Sequence, residues 1–465
     1  MIVVSGVGRR PAFILFGDLH KIGPYLADLD RRGLAVLLVS GRGGTSLARR
    51  AREMLGKPGH PLGAVADVLL TDGGDSAGIA DRAAQWAERY RVVGALAVAE
   101  VFVEPAALVC DLLALPGVGP RASVVCRNKA LQRRYLEHWS PLSVLVQRGG
   151  AGTDEIGRDR YREVPARFTD RFPTVVKPLT LESSMGVRVA RDEEELFALL
   201  AGLGPRSEIL VEERVSGREY NVDTIVVDGE LLTTMITQKG TNERSTNYFV
   251  EVAHTTPPTN LDPGEKRRIE RTHGSVVKRL RFGTGMAHAE YRLTDDGRVV
   301  LMEIAARPPG DACLPLYELA TGQPVEPALI DAALGGATTY PGCPARRARQ
   351  LYFEHTPGRL AEVRVDWPEP VRPRWLADTT GIWPEFRPTG ARDPLRLHEV
   401  LVLKRRGEQL GAITDSSGRA VTAVFDAPLD ADIDVAEMRV RDAVTVVTRD
   451  DALETSGGRI GGADA

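Results

Sequence analysis

Glu290-Tyr291-Arg292 and, past a short turn, Met302-Glu303-Ile304-Ala305-Ala306-Arg307 are the stretches whose reading decides this chain. Each acidic residue sits in an apolar, strand-like run, and Asp295-Asp296-Gly297 between them is a turn sequence of the kind that joins neighbouring strands. A carboxylate pair on adjacent strands suits Mg²⁺, which takes few protein ligands and completes its shell with phosphate oxygens and water. The arginine just beyond, Arg307, suits an anionic intermediate. Together these residues point to phosphoryl chemistry.

Upstream, Lys177 ends the apolar run Thr174-Val175-Val176, and Ser183-Ser184-Met185-Gly186-Val187 follows it. The amides and hydroxyls of such a loop can close over phosphate oxygens, and the lysine adds a point charge. Taken alone, the segment reads equally well as a surface lysine and an ordinary loop. Lys129, on the first turn of a helix expected after Val124-Val125-Cys126, taken alone is most simply a solvated side chain. Glu212 and Glu213 end the run Ile209-Leu210-Val211, where a linker can offer backbone groups to a base edge and an acid to a ribose hydroxyl. Glu219, in Gly217-Arg218-Glu219-Tyr220, fits the ribose role as well.

Working outward, residues 12 to about 122 alternate short apolar runs (Ala12–Phe16, Leu34–Val39, Val68–Leu70, Val93–Val98) with helical stretches such as Asp81–Tyr90, the rhythm of βαβ units and a parallel sheet. Gly6-Val7-Gly8 lies ahead of the first strand and is no dinucleotide fingerprint. Gln147 to Arg162 reads as a loop or the entry to a lid. Strands are expected at 187–190, 208–212, 220–227 and 231–237, with a hairpin turn at Asp228-Gly229, and helices at 192–200, 265–280 and 314–320. A more β-like region runs from Gln350 to about Arg449, and the Gly/Ser-rich tail from Glu454 is expected to be flexible.

The chain has 465 residues, 43% apolar and 26% charged, enough for several domains with full cores. Its 60 basic and 63 acidic side chains are well mixed, for a net charge of -3, which gives no tract for nucleic acid. Cys110, Cys126, Cys313 and Cys343 lack metal-site spacing and argue against a disulfide framework. No apolar stretch reaches membrane-spanning length and no signal sequence opens the chain, so a cytoplasmic protein is expected. There is no Gly-x-Ser-x-Gly elbow, Walker A loop or His-Glu-x-x-His.

The order of these pieces (lysine, lysine with a Ser/Gly loop, acidic strand end, Gly-Arg-Glu, two strand carboxylates with an arginine) resembles the ATP-grasp superfamily. The resemblance runs from about Cys126 to Gln323, with a fitting α/β domain ahead of it. Within the superfamily the chain is most similar to carboxylate-amine ligases that include the L-amino-acid (dipeptide) ligases of bacilysin type. His288-Ala289-Glu290, Glu303-Ile304-Ala305-Ala306-Arg307 and Phe249-Val250-Glu251-Val252-Ala253-His254-Thr255-Thr256-Pro257 carry that likeness. Ala305 stands where relatives such as biotin carboxylase place an asparagine in Glu-x-Asn-x-Arg.

The resemblance implies an α/β fold: an N-terminal parallel-sheet domain (1–122), a central ATP-grasp domain (123–340) with a mobile lid at about 140–211, a C-terminal α+β domain (341–452) and a flexible tail (453–465). It implies that Lys129 and Lys177 hold the α- and β-phosphates of ATP and that Ser183, Ser184, Met185, Gly186 and Val187 cover the γ-phosphate. Glu212, Glu213 and Val215 would line the adenine and Glu219 would meet the ribose. Glu290 and Glu303 would bind Mg²⁺, with Mn²⁺ able to substitute, and Arg307 would stabilise an acyl phosphate. His254 and His288 are candidates for substrate contact, each equally readable as a structural histidine. Asp311 is a candidate partner for a substrate ammonium, the competing reading being a helix N-cap ahead of Cys313-Leu314. The implied reaction joins a small carboxylate to an amine, amino acids foremost; the sequence does not give the oligomeric state, for which a homodimer is the common default in this architecture. Alternatives are a superfamily enzyme using bicarbonate or another nucleophile, and a nucleotide-binding protein without catalysis.

Overall fold

The computed structural model describes residues 8–17, 22–41, 53–71, 73–147, 163–179, 185–202, 208–246, 248–378 and 383–449. Ser183, Ser184, residues 148–162 and the tail from Glu454 lie outside them.

The expected βαβ rhythm is present. Strands β1 (Pro11–Phe16), β2 (Ala35–Gly41), β3 (Val65–Thr71) and β4 (Arg91–Ala97) pair in parallel in the order β3-β2-β1-β4. Their side chains alternate between two separate cores. Phe13, Leu15, Val36 and Leu38 pack with Tyr25, Leu26 and Leu29 of helix α1 (Gly23–Arg31). Ala12, Ile14, Phe16, Leu37 and Val39 pack with α2 (Ser76–Arg89) and α3 (Val103–Leu112). Burial on both faces is why these strands read as unbroken apolar runs.

The segment Val124–Cys126 closes a helix of its own, α4 (Pro120–Arg127), and Asn128 then adopts an extended conformation and caps α5 (Lys129–Tyr135), its side chain accepting from the Leu131 N–H at 3.1 Å. Strands β5 (Ser143–Gln147), β6 (Thr174–Pro178), β7 (Arg188–Ala190) and β8 (Glu208–Glu213) form an antiparallel sheet in the order β5-β8-β6-β7, with Leu196 and Leu200 of α6 (Glu193–Ala201) buried against it.

The largest sheet among the described residues has nine strands, ordered β13-β12-β9-β10-β11-β14-β19-β17-β16. They are β9 (Arg218–Val227), β10 (Glu230–Thr241), β11 (Glu251–Thr256), β12 (Gly285–Leu293), β13 (Val299–Ala305), β14 (Arg346–Tyr352), β16 (Arg374–Trp375), β17 (Arg396–Val402) and β19 (Val421–Pro428). The β9–β10 turn has Asp228 at φ +50° and Gly229 at φ +84°, the left-handed pair that a two-residue hairpin favours. A small sheet orders β18 (Gln409–Leu410), β15 (Gly358–Val365) and β20 (Val444–Arg449), so the β-like reading of the C-terminal region holds, with the α-helix α10 (Ile433–Ala443) inside it.

Helix α7 (Pro263–Leu280) begins with a capping box between Asp262 and Glu265 and lays Ile269, Val276, Val277 and Leu280 on one face of the large sheet. Helices α8 (Cys313–Thr321) and α9 (Glu326–Ala333) pack beside the N-terminal sheet, with Tyr317 and Leu329 in the same cluster as Phe13 and Leu15. Among the described residues no helix is long and apolar enough to cross a membrane, and the four cysteines are free, three of them buried.

Candidate active site

Alternation along the central strands builds the site. On β12, Ala287, Ala289, Tyr291 and Leu293 enter the core beneath α7, so His288, Glu290 and Arg292 face the other way. Antiparallel register then lines up charges across the sheet: Glu290 lies opposite Glu303 of β13 and Asn221 of β9, while Glu219 of β9 lies between Arg292 and Lys239 of β10. The two carboxylates quoted at the outset are thus direct cross-strand neighbours.

Lys239 sits at the centre of this polar face. Its ammonium lies 2.8 Å from Glu219, 2.9 Å from Glu290 and 3.2 Å from Glu251, and its side chain is only 3% exposed. Arg292 donates to Glu219, Glu243 and the Val215 carbonyl. Buried charge is tolerated here because it is paired. Burial alone would lower the Lys239 pKa, but Glu219, Glu290 and Glu251 hold it well above the usual range. Burial would raise the Glu219 carboxyl, and Lys239 and Arg292 outweigh it, taking it down to about 2. Glu303 is likewise pulled down to about 2, against burial, by Lys129 and Lys177.

The small antiparallel sheet supplies the opposite wall. Lys177 lies 2.5 Å from Glu212, whose other oxygen accepts from Arg133 of α5. Burial, with Arg133 and Lys129 nearby, pushes the Lys177 pKa down despite Glu212. An ammonium in that position gains from any anion brought beside it. Lys129 is placed by its neighbour Gln132, whose amide donates to the Ile304 and Cys126 carbonyls and accepts from the Ile304 N–H, fixing α5 against the edge of β13. Lys129 Nζ then lies 3.1 Å from Glu303.

One cavity gathers most of the expected residues: Lys129, Lys177, Met185 and Val187 line it, as do Glu212, Glu213, Val215 and Glu219, and so do Glu290 and Glu303. Gly186, at φ +72°, lies between two of the lining residues. Ser183 and Ser184 fall outside the described residues. Glu212 and Glu213 reach the cavity with carboxylates already engaged, Glu213 by Arg171 and the Leu142 N–H.

Arg307, His254, His288 and Asp311 are not among the residues lining this cavity. Arg307 stands past the end of β13, its Nε 2.5 Å from Glu100, which also accepts from Arg127. His288 donates or accepts at 2.8 Å with the fully buried Asp223, which Tyr317 also bonds, so a structural partner accounts for it. His254 Nε2 lies 3.1 Å from Asp311. The N-cap reading of Asp311 does not hold: Ala312 is the N-cap of α8 and no side chain caps it. Asp311, held at φ +50°, instead pairs with both terminal nitrogens of Arg419, at 2.9 and 3.1 Å.

Sequence reasoning missed Lys239, Glu243, Glu251 and Arg419. Lys239 carried a signal: with Met235 and Thr237 it forms a period-two series whose last member is charged. Arg419, far down the chain, carried none.

The donor set fits Mg²⁺. Glu290 and Glu303 face one cavity from adjacent strands, and each already holds a cation, the ammonium of Lys239 or Lys129. Two carboxylates suit an ion shared with phosphates, and among the described residues no group of three or more His, Cys, Asp or Glu could hold a metal. Ala305, buried opposite His288, adds no ligand.

Residues 170–316 match the family model of the ATP-grasp domain. The vancomycin/teicoplanin A-type resistance protein VanA of Enterococcus faecium is 28% identical over 209 residues, 43% of this chain and 58% of that protein. The alanine–anticapsin ligase of Bacillus subtilis is 25% identical over 258 residues, 50% of this chain and 52% of that one. The chain thus spans about half the length of the curated relatives it matches. The crystal structure of an L-amino acid ligase from Bacillus licheniformis superposes with a TM-score of 0.69 at 19% identity, covering 96% of this chain and 100% of that one.

Proposed function

We propose that the ATP-grasp domain of this chain serves an ATP-dependent carboxylate–amine ligase that makes an amide bond through an acyl phosphate, with amino acids as substrates. The observation that carries the reading is the cross-strand pair Glu290 and Glu303 facing Lys129 and Lys177 in one cavity. Cations and paired carboxylates concentrated in a cleft are what positioning and neutralising a triphosphate require.

In this reading a substrate carboxylate oxygen attacks the γ-phosphorus and ADP leaves. The amine nitrogen then attacks the acyl carbon, phosphate leaves, and one proton is released. Lys129 and Lys177 hold the α- and β-phosphates, and the backbone from Ser183 to Val187 covers the γ-phosphate. Glu290 and Glu303 hold Mg²⁺ or, in its place, Mn²⁺, which supplies neutralisation of the phosphate charge. Glu212, given its contacts with Lys177 and Arg133, acts by holding that lysine in place. Glu219 meets the ribose, with Glu213 and Val215 along the adenine. Arg307, fixed by Glu100, is directed at the acyl phosphate and then at the oxyanion of the tetrahedral intermediate. The likeness to an alanine–anticapsin ligase supports this choice over bicarbonate chemistry.

The test is ADP release with Mg²⁺-ATP across an amino-acid panel, singly and in pairs, with mass spectrometry of each product. Release that depends on two amino acids and gives a new amide mass establishes the reading. Release with bicarbonate as sole acceptor overturns it. We further assign the protein to the cytoplasm as a homodimer without nucleic-acid or membrane partners, which light scattering of the purified protein checks for the dimer.

A further inference from the structure

The part of the cavity beside Glu219 is held by a residue that does not line it. After β10 the chain makes a short turn of 3₁₀ helix, Asn242–Arg244, and Asn242 closes the loop that follows: its N–H donates to the Val250 carbonyl and its side-chain oxygen accepts from the Val250 N–H, each at 3.0 Å. The loop so pinned sets Glu243 between two arginines from different elements. Arg214, in the linker after β8, donates to Glu243 Oε1 from Nε at 3.1 Å and from Nη2 at 2.6 Å. Arg292 of β12 reaches Oε2 at 2.7 Å and Oε1 at 3.3 Å. The ring of Phe249 lies beside both, its centroid 5.9 Å from the Arg214 guanidinium and 5.7 Å from that of Arg292. Arg214, Val215, Glu219, Phe249 and Arg292 all line the cavity, and Glu243 is not among its lining residues.

Two guanidiniums drawn to one carboxylate oxygen would repel each other without it. With it, Arg292 stays where its remaining N–H groups are useful: one donates to the Val215 carbonyl at 2.6 Å, and Nε and Nη2 meet Glu219 Oε2 at 2.8 and 2.7 Å. The other oxygen of Glu219 lies 2.8 Å from the Lys239 ammonium. Glu219 is therefore gripped at both oxygens, and its carboxylate plane is fixed. Through the two arginines Glu243 governs both the linker backbone at Val215 and the orientation of Glu219.

We propose that Glu243 is a positioning residue for nucleotide selection: by clasping Arg214 to Arg292 it holds Glu219 at the angle that accepts a ribose hydroxyl, and so sets the preference for a ribonucleotide over its deoxy analogue. The inference deepens the ATP reading of the cavity and rests on it. A recognising group discriminates only when the residues behind it lock its orientation, and Glu243 is the shared counter-ion that does so here.

The experiment is calorimetric titration of the full chain with Mg²⁺-ADP and with the Mg²⁺ complex of 2′,3′-dideoxy-ADP, which lacks both ribose hydroxyls. Wild type is expected to prefer ADP by roughly tenfold or more, the worth of a hydrogen bond to a charged acceptor. Glu243→Gln keeps the shape but not the charge that the two arginines share; it should bind the dideoxy nucleotide about as wild type does and retain a preference for ADP of roughly threefold or less. Glu243→Asp keeps the charge, and with it the fold, but is a methylene too short to span both guanidiniums, so its preference should fall between the two. A residue that only supports the fold would weaken both nucleotides alike; a preference for ADP unchanged from wild type in these variants overturns the clasp while leaving the ATP reading in place. Wild type that binds both nucleotides equally overturns the ribose role of Glu219 and the clasp with it. Wild type that binds neither overturns the ATP reading itself, so the two failures are told apart in one titration series.

Discussion

Replacing Lys239 by methionine tests the charge architecture most directly. The side chain keeps its length and apolar stem, but Glu219, Glu290 and Glu251 lose the ammonium that lies 2.8 to 3.2 Å from each. Arg292 still reaches Glu219 and Arg419 still lies 3.7 Å from Glu251, while Glu290 keeps, among the described residues, only the imidazole of His288, at 3.9 Å, as a basic neighbour. Removing one partner from a buried ion pair costs about 3–5 kcal/mol. At roughly 2–4 °C per kcal/mol for a unit of this size, the melting temperature should fall by about 10 °C. The deficit should depend on pH with a known sign. In the variant, repulsion raises the folded-state pKa of these carboxyls above its unfolded value, so the folded state binds more protons and the deficit shrinks as pH falls from 7.5 toward 5. In the wild type the Glu219 carboxyl, held at about 2, contributes stability that is present above the unfolded value near 4.5 and disappears only as pH drops from there toward 2. Differential scanning fluorimetry of both proteins across that range is the assay. A loss under about 1 kcal/mol, or a deficit that grows on mild acidification, would refute the reasoning that Lys239 neutralises a buried acidic cluster.

Glu303→Gln should abolish ADP release while leaving the melting temperature within a few degrees; undiminished turnover sinks the site assignment. Arg307→Met should lower kcat by about 10²–10³ with ATP-induced thermal stabilisation retained, since its charge matters after nucleotide binding; an equal loss of both would place the arginine in ATP binding instead. Gly217→Ala should destabilise, because Gly217 has φ +147° and an added Cβ would meet the Leu293 carbonyl at 2.4 Å, with strain of about 1–3 kcal/mol at the start of β9. Urea unfolding measures it, and a neutral result would mean that this backbone approach can relax.

The legible parts of this molecule were those governed by local periodicity. Runs such as Ala12–Phe16 and Ala35–Val39 are apolar throughout because both faces are buried, and Glu290 and Glu303 announced themselves as charges in strands whose other face is core. The Asp228-Gly229 turn demanded left-handed backbone and received it. What stayed hidden depends on register and on long-range contact. Lys239 meets Glu290 only because β9 lies between their strands, and Asp311 meets Arg419 only because a loop ahead of β19 folds back by 108 positions in sequence. Asp311 also shows how a good local rule fails: an acid near a helix start is a natural cap, but a bidentate arginine binds it more strongly than two backbone amides do.

The nine-stranded sheet does not stop where the ATP-grasp match stops, at residue 316: β11 bonds directly to β14, and β19, β17 and β16 continue from there. The C-terminal region is therefore no detachable module. A fragment ending near residue 340 would bare the whole outer edge of β11, a row of unpaired amides and carbonyls inviting other chains to add on, and should aggregate when expressed alone. Exchanging that region between homologues to graft a new specificity meets the same obstacle, since the donor must match strand register at β11 as well as chemistry. Variation there is confined to point changes and loop lengths within an intact sheet.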